Sequence, residues 1–201
     1  IISGLFETKN GSYEAIEFYA VRDIENLSQF RVGISSGTSS AEHTLSNTSL
    51  SAGQYYMIYY NSNWSNFFSD ETSSSYKTQY ISDVNSLSSG HFNISLWNNK
   101  TGSFKKVDAY GDDTKSAAGS AWDLDEGWAY RKNGRGASTT FNIDDWNIEK
   151  GEFKVVGGTS TNGNDFVANS YPLFKFSGPS EYIGVNNDPL TIVRTPLNLD
   201  D

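Results

Sequence analysis

The chain has 201 residues, with 15 Lys and Arg against 24 Asp and Glu. Its net charge of −9 disfavours the clustered cations that bind nucleic acid or an anionic membrane. With no cysteine, disulfides, thiol catalysis and thiolate metal sites are excluded, and no run of 18 apolar residues could span a membrane as a helix. The 43 Ser and Thr and 19 Asn compete for backbone hydrogen bonds inside helices and favour turns and strands, while 14% aromatic residues argue against disorder.

Turn chemistry divides the chain into short runs. Residues 15–22, AIEFYAVR, read as a strand, and VRDIENLSQF, 21–30, as one helical turn. SSGTSSAEHTLSNTS, 35–49, is polar throughout and reads as a long surface loop. QYYMIYY, 54–60, is the next strand, entered through Ser51-Ala52-Gly53. SDETSSSYKTQ, 69–79, reads as a second loop. TQYISDVNSL, 78–87, reads as a short helix, because Tyr80, Val84 and Leu87 fall near helical spacing. FNISLW, 92–97, and FKKVDA, 104–109, flank Asn99-Lys100-Thr101-Gly102, a hairpin with Gly102 at positive φ. Further strands are expected at 128–131, 138–143, 153–156, 172–177 and 190–194, with turns at 110–113, 132–136, 161–164 and 177–180. About nine short strands with little helix read as an all-β sandwich. The chain opens on Ile1 with neither initiator Met nor leader, which reads as a leader removed or a larger chain cut.

The densest polar-aromatic stretch is WDLDEGWAYRKNGRG, 122–136. Its Asp123-x-Asp125-x-Gly127 start is spaced wrongly for an EF-hand loop, which needs Gly sixth and Glu twelfth. A calcium ion held by carboxylates of several loops, Asp112, Asp113, Asp123 and Asp125, is the metal site the sequence allows. The plainer reading has these acids capping turns or pairing with Arg131 or Lys132, with Arg131 facing an acid from 123–126. His43 and His91 read as exposed loop residues, too few for zinc. Glu17, Glu126 and Asp144 are the carboxylates considered for glycoside hydrolysis, and nothing marks one of them as perturbed. No Gly-x-Ser-x-Gly elbow or phosphate-cradling Gly-rich loop occurs. Among five tryptophans, Trp97, Trp128 and Trp146 read as structural, and Trp64, within NSNWSNFF, as the exposed ligand-binding candidate.

Several pieces, in order, resemble the lamin tail domain family. Ile1-Ile2-Ser3-Gly4 resembles its opening strand, Ala15-Ile16-Glu17-Phe18-Tyr19 its Ile-Glu-Leu-Tyr strand, and Glu25 to Phe30 the turn that follows. Leu50-Ser51-Ala52-Gly53 matches the Leu-x-Ala-Gly lead into a hydrophobic strand, and Ile94 to Asp108 the hairpin ending in Val-Asp. Trp122 to Arg131 resembles the Trp-x-x-x-Gly-Trp-x-x-Arg segment of secreted and surface bacterial members, and Asp145-Trp146 their closing Asp-Trp. The resemblance covers roughly 1–150; Gly90-His91-Phe92-Asn93 departs from the family's Gly-Asp-Asp pair. It implies an immunoglobulin-like β-sandwich at 1–150, and a binding or scaffolding module without a catalytic centre.

The expectation is therefore a lamin-tail-like sandwich at 1–150 followed by additional strands and a C-terminal arm at 151–201. The function expected is a non-catalytic, exported structural or interaction module of a cell surface, extracellular assembly or virion. Its partners would be protein, itself or neighbouring subunits, and it would need no cofactor. The alternative is a calcium-assisted carbohydrate-binding module of a secreted enzyme. The apolar end of the tail, with Leu190, Ile192 and Val193, is the candidate assembly strand, because an apolar strand near a chain end must pair at home or with a neighbour.

Overall fold

The structure, a computed structural model, describes residues 1–7, 14–35, 40–60, 76–81, 91–124, 127–150, 175–185 and 192–196. Two sheets face each other. The first holds six strands in the order β10-β9-β1-β2-β5-β6: β1 (Ile2–Glu7), β2 (Glu14–Tyr19), β5 (Tyr55–Tyr60), β6 (Tyr76–Tyr80), β9 (Trp128–Arg131) and β10 (Trp146–Glu149). The second holds four in the order β4-β3-β7-β8: β3 (Phe30–Ser35), β4 (Ser40–Thr44), β7 (Asn93–Asn98) and β8 (Lys105–Tyr110). The fold is an all-β sandwich, and helix among the described residues is limited to the 3₁₀ turns Leu27–Gln29 and Ile143–Asp145. Each turn is opened by an asparagine, Asn26 or Asn142, whose side chain accepts the N–H two residues on.

Alternation assigns the faces. Ile16 and Phe18 of β2, Tyr56 and Ile58 of β5, Val32 and Ile34 of β3, and Ile94 and Leu96 of β7 point between the sheets and form the main core. The other face of the six-stranded sheet is covered too. Phe6, Ala15, Tyr55, Met57, Trp128 and Tyr130 pack there with Phe176, which is 1% exposed. Residues 175–180 are thus a strap across that face. The Lys175 and Phe176 N–H groups donate to the Tyr130 hydroxyl at 2.7 and 2.6 Å, and the Tyr55 hydroxyl donates to the Phe176 carbonyl at 2.6 Å. The strap lies beyond residue 150, yet it completes the outer core of the six-stranded sheet.

The strands expected at 54–60, 92–97, 104–109 and 128–131 form within a residue of those bounds, and Gly102 turns the hairpin at φ +84. The run read as 15–22 is the strand Glu14–Tyr19, and that read as 190–194 is β12 (Ile192–Pro196). Four expectations are corrected. The polar loop at 35–49 contains β4, which adds to β3 in register Val32↔His43 and Ile34↔Ala41; backbone pairing supplies what side-chain burial does not. Residues 76–80, read as loop and helix start, form β6, the one parallel neighbour of β5 among the described strands. Residues 138–143 make no strand, because Ser138 and Thr140 satisfy each other locally. Residues 175–177 are the strap rather than a strand. The expected strand at 153–156, the remainder of the helix at 82–87 and the start of the strand at 172–174 lie outside the described residues.

β12 pairs antiparallel with β11 (Glu181–Val185) in a separate two-stranded sheet. Ile192 stands opposite Val185 and Val193 opposite Gly184. The hairpin follows directly on the strap, which is fastened by the Gly134↔Pro179 bridge and the Ser180 N–H donated to the Gly134 carbonyl.

Candidate functional site

The stretch 122–136 is built around Arg131, the last residue of β9. All four residues of β9 are buried, so the strand has no solvent face. Arg131 is 1% exposed and projects between the sheets to Asp108 of β8, which is fully buried. One terminal guanidinium nitrogen donates to both Asp108 oxygens, at 2.8 and 2.9 Å. Nε donates to the Ile2 carbonyl and Nη1 to the Gly136 carbonyl, each at 2.7 Å, and the Trp146 ring lies 4.4 Å from the guanidinium carbon. The carboxylate is saturated in turn by the N–H groups of Ile2, Ala109 and Ser138. The acid that Arg131 pairs with is therefore Asp108 rather than the expected Asp123. β9 aims Arg131 into the interior, while Asp123, the one described acid of 123–126, is held by the Gly119 N–H and His91. The usable signal was a lone Asp in VDAY and a lone Arg in WAYR, single charges inside apolar strands.

The calcium candidates have local partners. Asp112 accepts from the Thr114 N–H and hydroxyl at 3.0 and 2.6 Å and pairs with Lys115 at 2.8 Å; these bonds hold its carboxyl down at about 2. Asp113 pairs with Lys106 at 2.7 Å. Asp123 is buried, accepts from the Gly119 N–H at 2.6 Å and meets His91 Nδ1 at 2.6 Å. Among the described residues no three His, Asp or Glu converge as a metal site. Asp125, Glu126 and Trp64 lie outside the described residues, as does Leu190.

His91 is thus not a free loop histidine. Asp123 holds it by Nδ1, with the His91 side chain 36% exposed, and the contact fastens the 111–123 loop to the entry of β7. The loop is tied again by the Trp122 indole donating to Asn93 Oδ1 at 2.9 Å and by Asn93 donating to the Lys115 carbonyl at 2.9 Å. His43, read as a loop residue, is half-buried in β4. Of the tryptophans read as structural, Trp128 and Trp146 are buried and Trp97 is half-buried. Asp144, one of the three hydrolase candidates, is exposed in a 3₁₀ turn.

Two groups of buried acids were missed as such. Glu17, read as a strand residue, is fully buried on the strapped face and accepts from the Ser3 hydroxyl at 2.7 Å. Burial foremost, then the Glu17 charge, pushes the Tyr55 and Tyr130 hydroxyls upward, so both stay protonated, Tyr55 donating to the Phe176 carbonyl and Tyr130 accepting from the strap. Glu7 and Glu14 are cross-strand partners at the end of β1 and β2, 3% and 0% exposed. Burial, then the neighbouring Glu7, pushes the Glu14 carboxyl up to about 8.

The four-stranded sheet turns a second, more open face outward. Arg31 lies over Phe104 at 4.1 Å and Trp97 at 5.7 Å, and pairs with Glu42 at 2.8 Å. Trp97 Nε1 donates to Ser95 Oγ at 2.9 Å across Gly33, where a Cβ would come within 2.6 Å of that oxygen. Lys106 and Asp113 continue the patch. It is an aromatic surface interleaved with both charge signs.

Compared with known proteins, the chain matches no family model and no curated protein.

Proposed function

We propose that this chain is a non-catalytic, exported structural or interaction module of a cell surface, extracellular assembly or virion, and that its partners are protein, copies of itself or neighbouring subunits. The observation that carries this reading is the tail hairpin. β11 and β12 bond to each other and, among the described residues, to no strand of either main sheet. Two strands alone are marginal in water, and among the described residues neither outer edge of the pair has a strand beside it. A neighbour's sheet edge pairs with such an edge by strand addition. The acidic, Ser- and Thr-rich composition suits an exported surface. The order of lamin-tail-like segments supports an immunoglobulin-like kinship, and that family's scaffolding role agrees with this reading. Sedimentation velocity over a range of concentration tests it. The full chain is expected to self-associate and a chain ending at Ser180 to stay monomeric; equal behaviour of the two sinks the assembly role.

A second reading, glycan binding, is supported by the Trp97–Arg31–Phe104 patch, where aromatic rings lie beside hydrogen-bonding charges. A glycan array, run with and without chelator on the native chain and on Trp97→Ala, decides it. Signal lost in the variant favours this reading, and signal absent from both discards it.

A further inference from the structure

Asn133-Gly134 is the one Asn-Gly step among the described residues, and the strap closes directly on it. Asn133 Oδ1 accepts from the Ser177 N–H at 3.0 Å. The Gly134 N–H donates to the Gly178 carbonyl at 2.9 Å, and the Gly134 carbonyl accepts from the Ser180 N–H at 3.1 Å and the Ser180 hydroxyl at 3.0 Å. The Arg135 N–H closes the turn on the Lys132 carbonyl at 3.1 Å, with Gly134 inside it at φ +84. A Cβ on Gly134 would lie 3.2 Å from the Ser180 hydroxyl oxygen, so turn and strap are in close contact.

An asparagine followed by glycine can modify itself, because a residue without Cβ does not hinder ring closure. The Gly134 nitrogen, once it has lost its proton, would bond to Asn133 Cγ, and the side-chain nitrogen would leave as ammonia. Water then opens the cyclic imide at one of its two carbonyls, which gives aspartate or, with the backbone rerouted through Cγ, isoaspartate. The sum is one amide and one water converted to one carboxylate and ammonia. Ring closure needs the nitrogen within about 3.5 Å of Cγ and free to give up its proton. Here its N–H is committed to the Gly178 oxygen, and the carboxamide is held by its own oxygen to Ser177. Gly134 is gripped on both sides, so the peptide plane between the two residues cannot swing its nitrogen onto Cγ while the strap is docked.

We propose that Asn133-Gly134 is a latent site of spontaneous deamidation, guarded by the strap and exposed when the strap lifts. Isoaspartate lengthens the backbone by a methylene immediately before Gly134. The Gly134 N–H and carbonyl then no longer meet Gly178 and Ser180, and the Gly134↔Pro179 bridge is lost. A strap that stays open long enough for the reaction therefore cannot close again, which makes it a one-way latch. Phe176 in the outer core and the bonds to the Tyr55 and Tyr130 hydroxyls hold the latch shut and so set how often the step is exposed. The proposal does not depend on the assembly reading.

The test incubates the full chain in mildly alkaline buffer beside a synthetic peptide of residues 131–141. Aspartate and isoaspartate at position 133 are followed by mass spectrometry of the chymotryptic peptide. Asn133 is expected to react at least about tenfold more slowly in the folded chain than in the free peptide, the ratio being the fraction of time the strap is open. Tyr130→Phe keeps the ring and removes the oxygen that accepts from Lys175 and Phe176, and it is expected to raise the rate roughly five- to tenfold. Phe176→Ala should raise it further; if that chain does not fold, Tyr130→Phe carries the test alone. The isoaspartyl fraction, separated by anion exchange, is expected to melt below the native chain. A folded chain that reacts as fast as the peptide overturns the proposal, as does a Tyr130→Phe rate equal to the native one. An isoaspartyl fraction that melts with the native chain overturns the one-way latch.

Discussion

Arg131 of the six-stranded sheet and Asp108 of the four-stranded sheet form a fully buried ion pair, so the two halves of the sandwich are joined by a charge contact where the chain has no disulfide. The contact also gathers the Ile2 and Gly136 carbonyls and the Ile2 and Ser138 N–H groups. Removing one partner leaves a charge and several backbone groups uncompensated. Arg131→Met is expected to cost about 3–5 kcal/mol in urea unfolding. Combined with Asp108→Asn it should cost less than the two single losses together. Additive losses would mean that the pair is not the coupled unit described.

The strap makes a separate prediction. Phe176 fills the outer core beside Tyr55 and Tyr130, and its truncation opens a cavity on a well-packed face. Phe176→Ala should cost about 3–5 kcal/mol. A chain ending at residue 174 should be destabilised at least as much, since the Tyr55 and Tyr130 hydroxyls lose their backbone partners as well. A chain ending at Ser180 retains every strap bond and should melt close to the full chain.

Acid should favour this fold over part of the range. The Glu14 carboxyl rises from an ordinary 4.5 to about 8 on folding. Between those values the folded chain holds a proton that the unfolded chain has released. Its contribution is therefore fully present below about pH 4.5, falls as pH rises through the interval, and is lost above about 8. The change is on the order of a few kcal/mol. Denaturation midpoints measured from pH 5 to 8.5 should fall with pH in the native chain and stay flatter in Glu14→Gln.

Two glycines at the same backbone angle should respond differently. Gly102 and Gly111 have φ of +84 and +80, but a Cβ on Gly102 meets open space while one on Gly111 overlaps Asn93 Oδ1 and lies 2.9 Å from the Trp122 indole nitrogen. Gly102→Ala should cost only the left-handed strain, about 1–2 kcal/mol. Gly111→Ala should cost clearly more, because the Asn93–Trp122 bond must break as well. Equal melting temperatures would show that the loop yields more easily than its contacts suggest.

The sequence by itself determined the class of fold and the strands with an apolar face. Strong alternation in QYYMIYY and FNISLW, and the Asn-Lys-Thr-Gly turn, have one good solution at the level of local geometry. It also suggested that Arg131 in the 122–136 stretch would pair with an acid, but named the wrong part of the chain for it. Tertiary structure alone decided which partners. Asp108 and Arg131 are 23 residues apart, and only the facing of the two sheets brings them together. His91 and Asp123, 32 residues apart, are likewise joined only by tertiary structure, whereas Glu7 and Glu14 are partners within one ladder and only their burial is a tertiary matter. β4 and β6 were illegible for a related reason. Their polar side chains carry no periodic signal, and the backbone edges of β3 and β5 hold them in place. The strap was hidden because a single phenylalanine inserted into a distant aromatic face leaves no pattern along the chain.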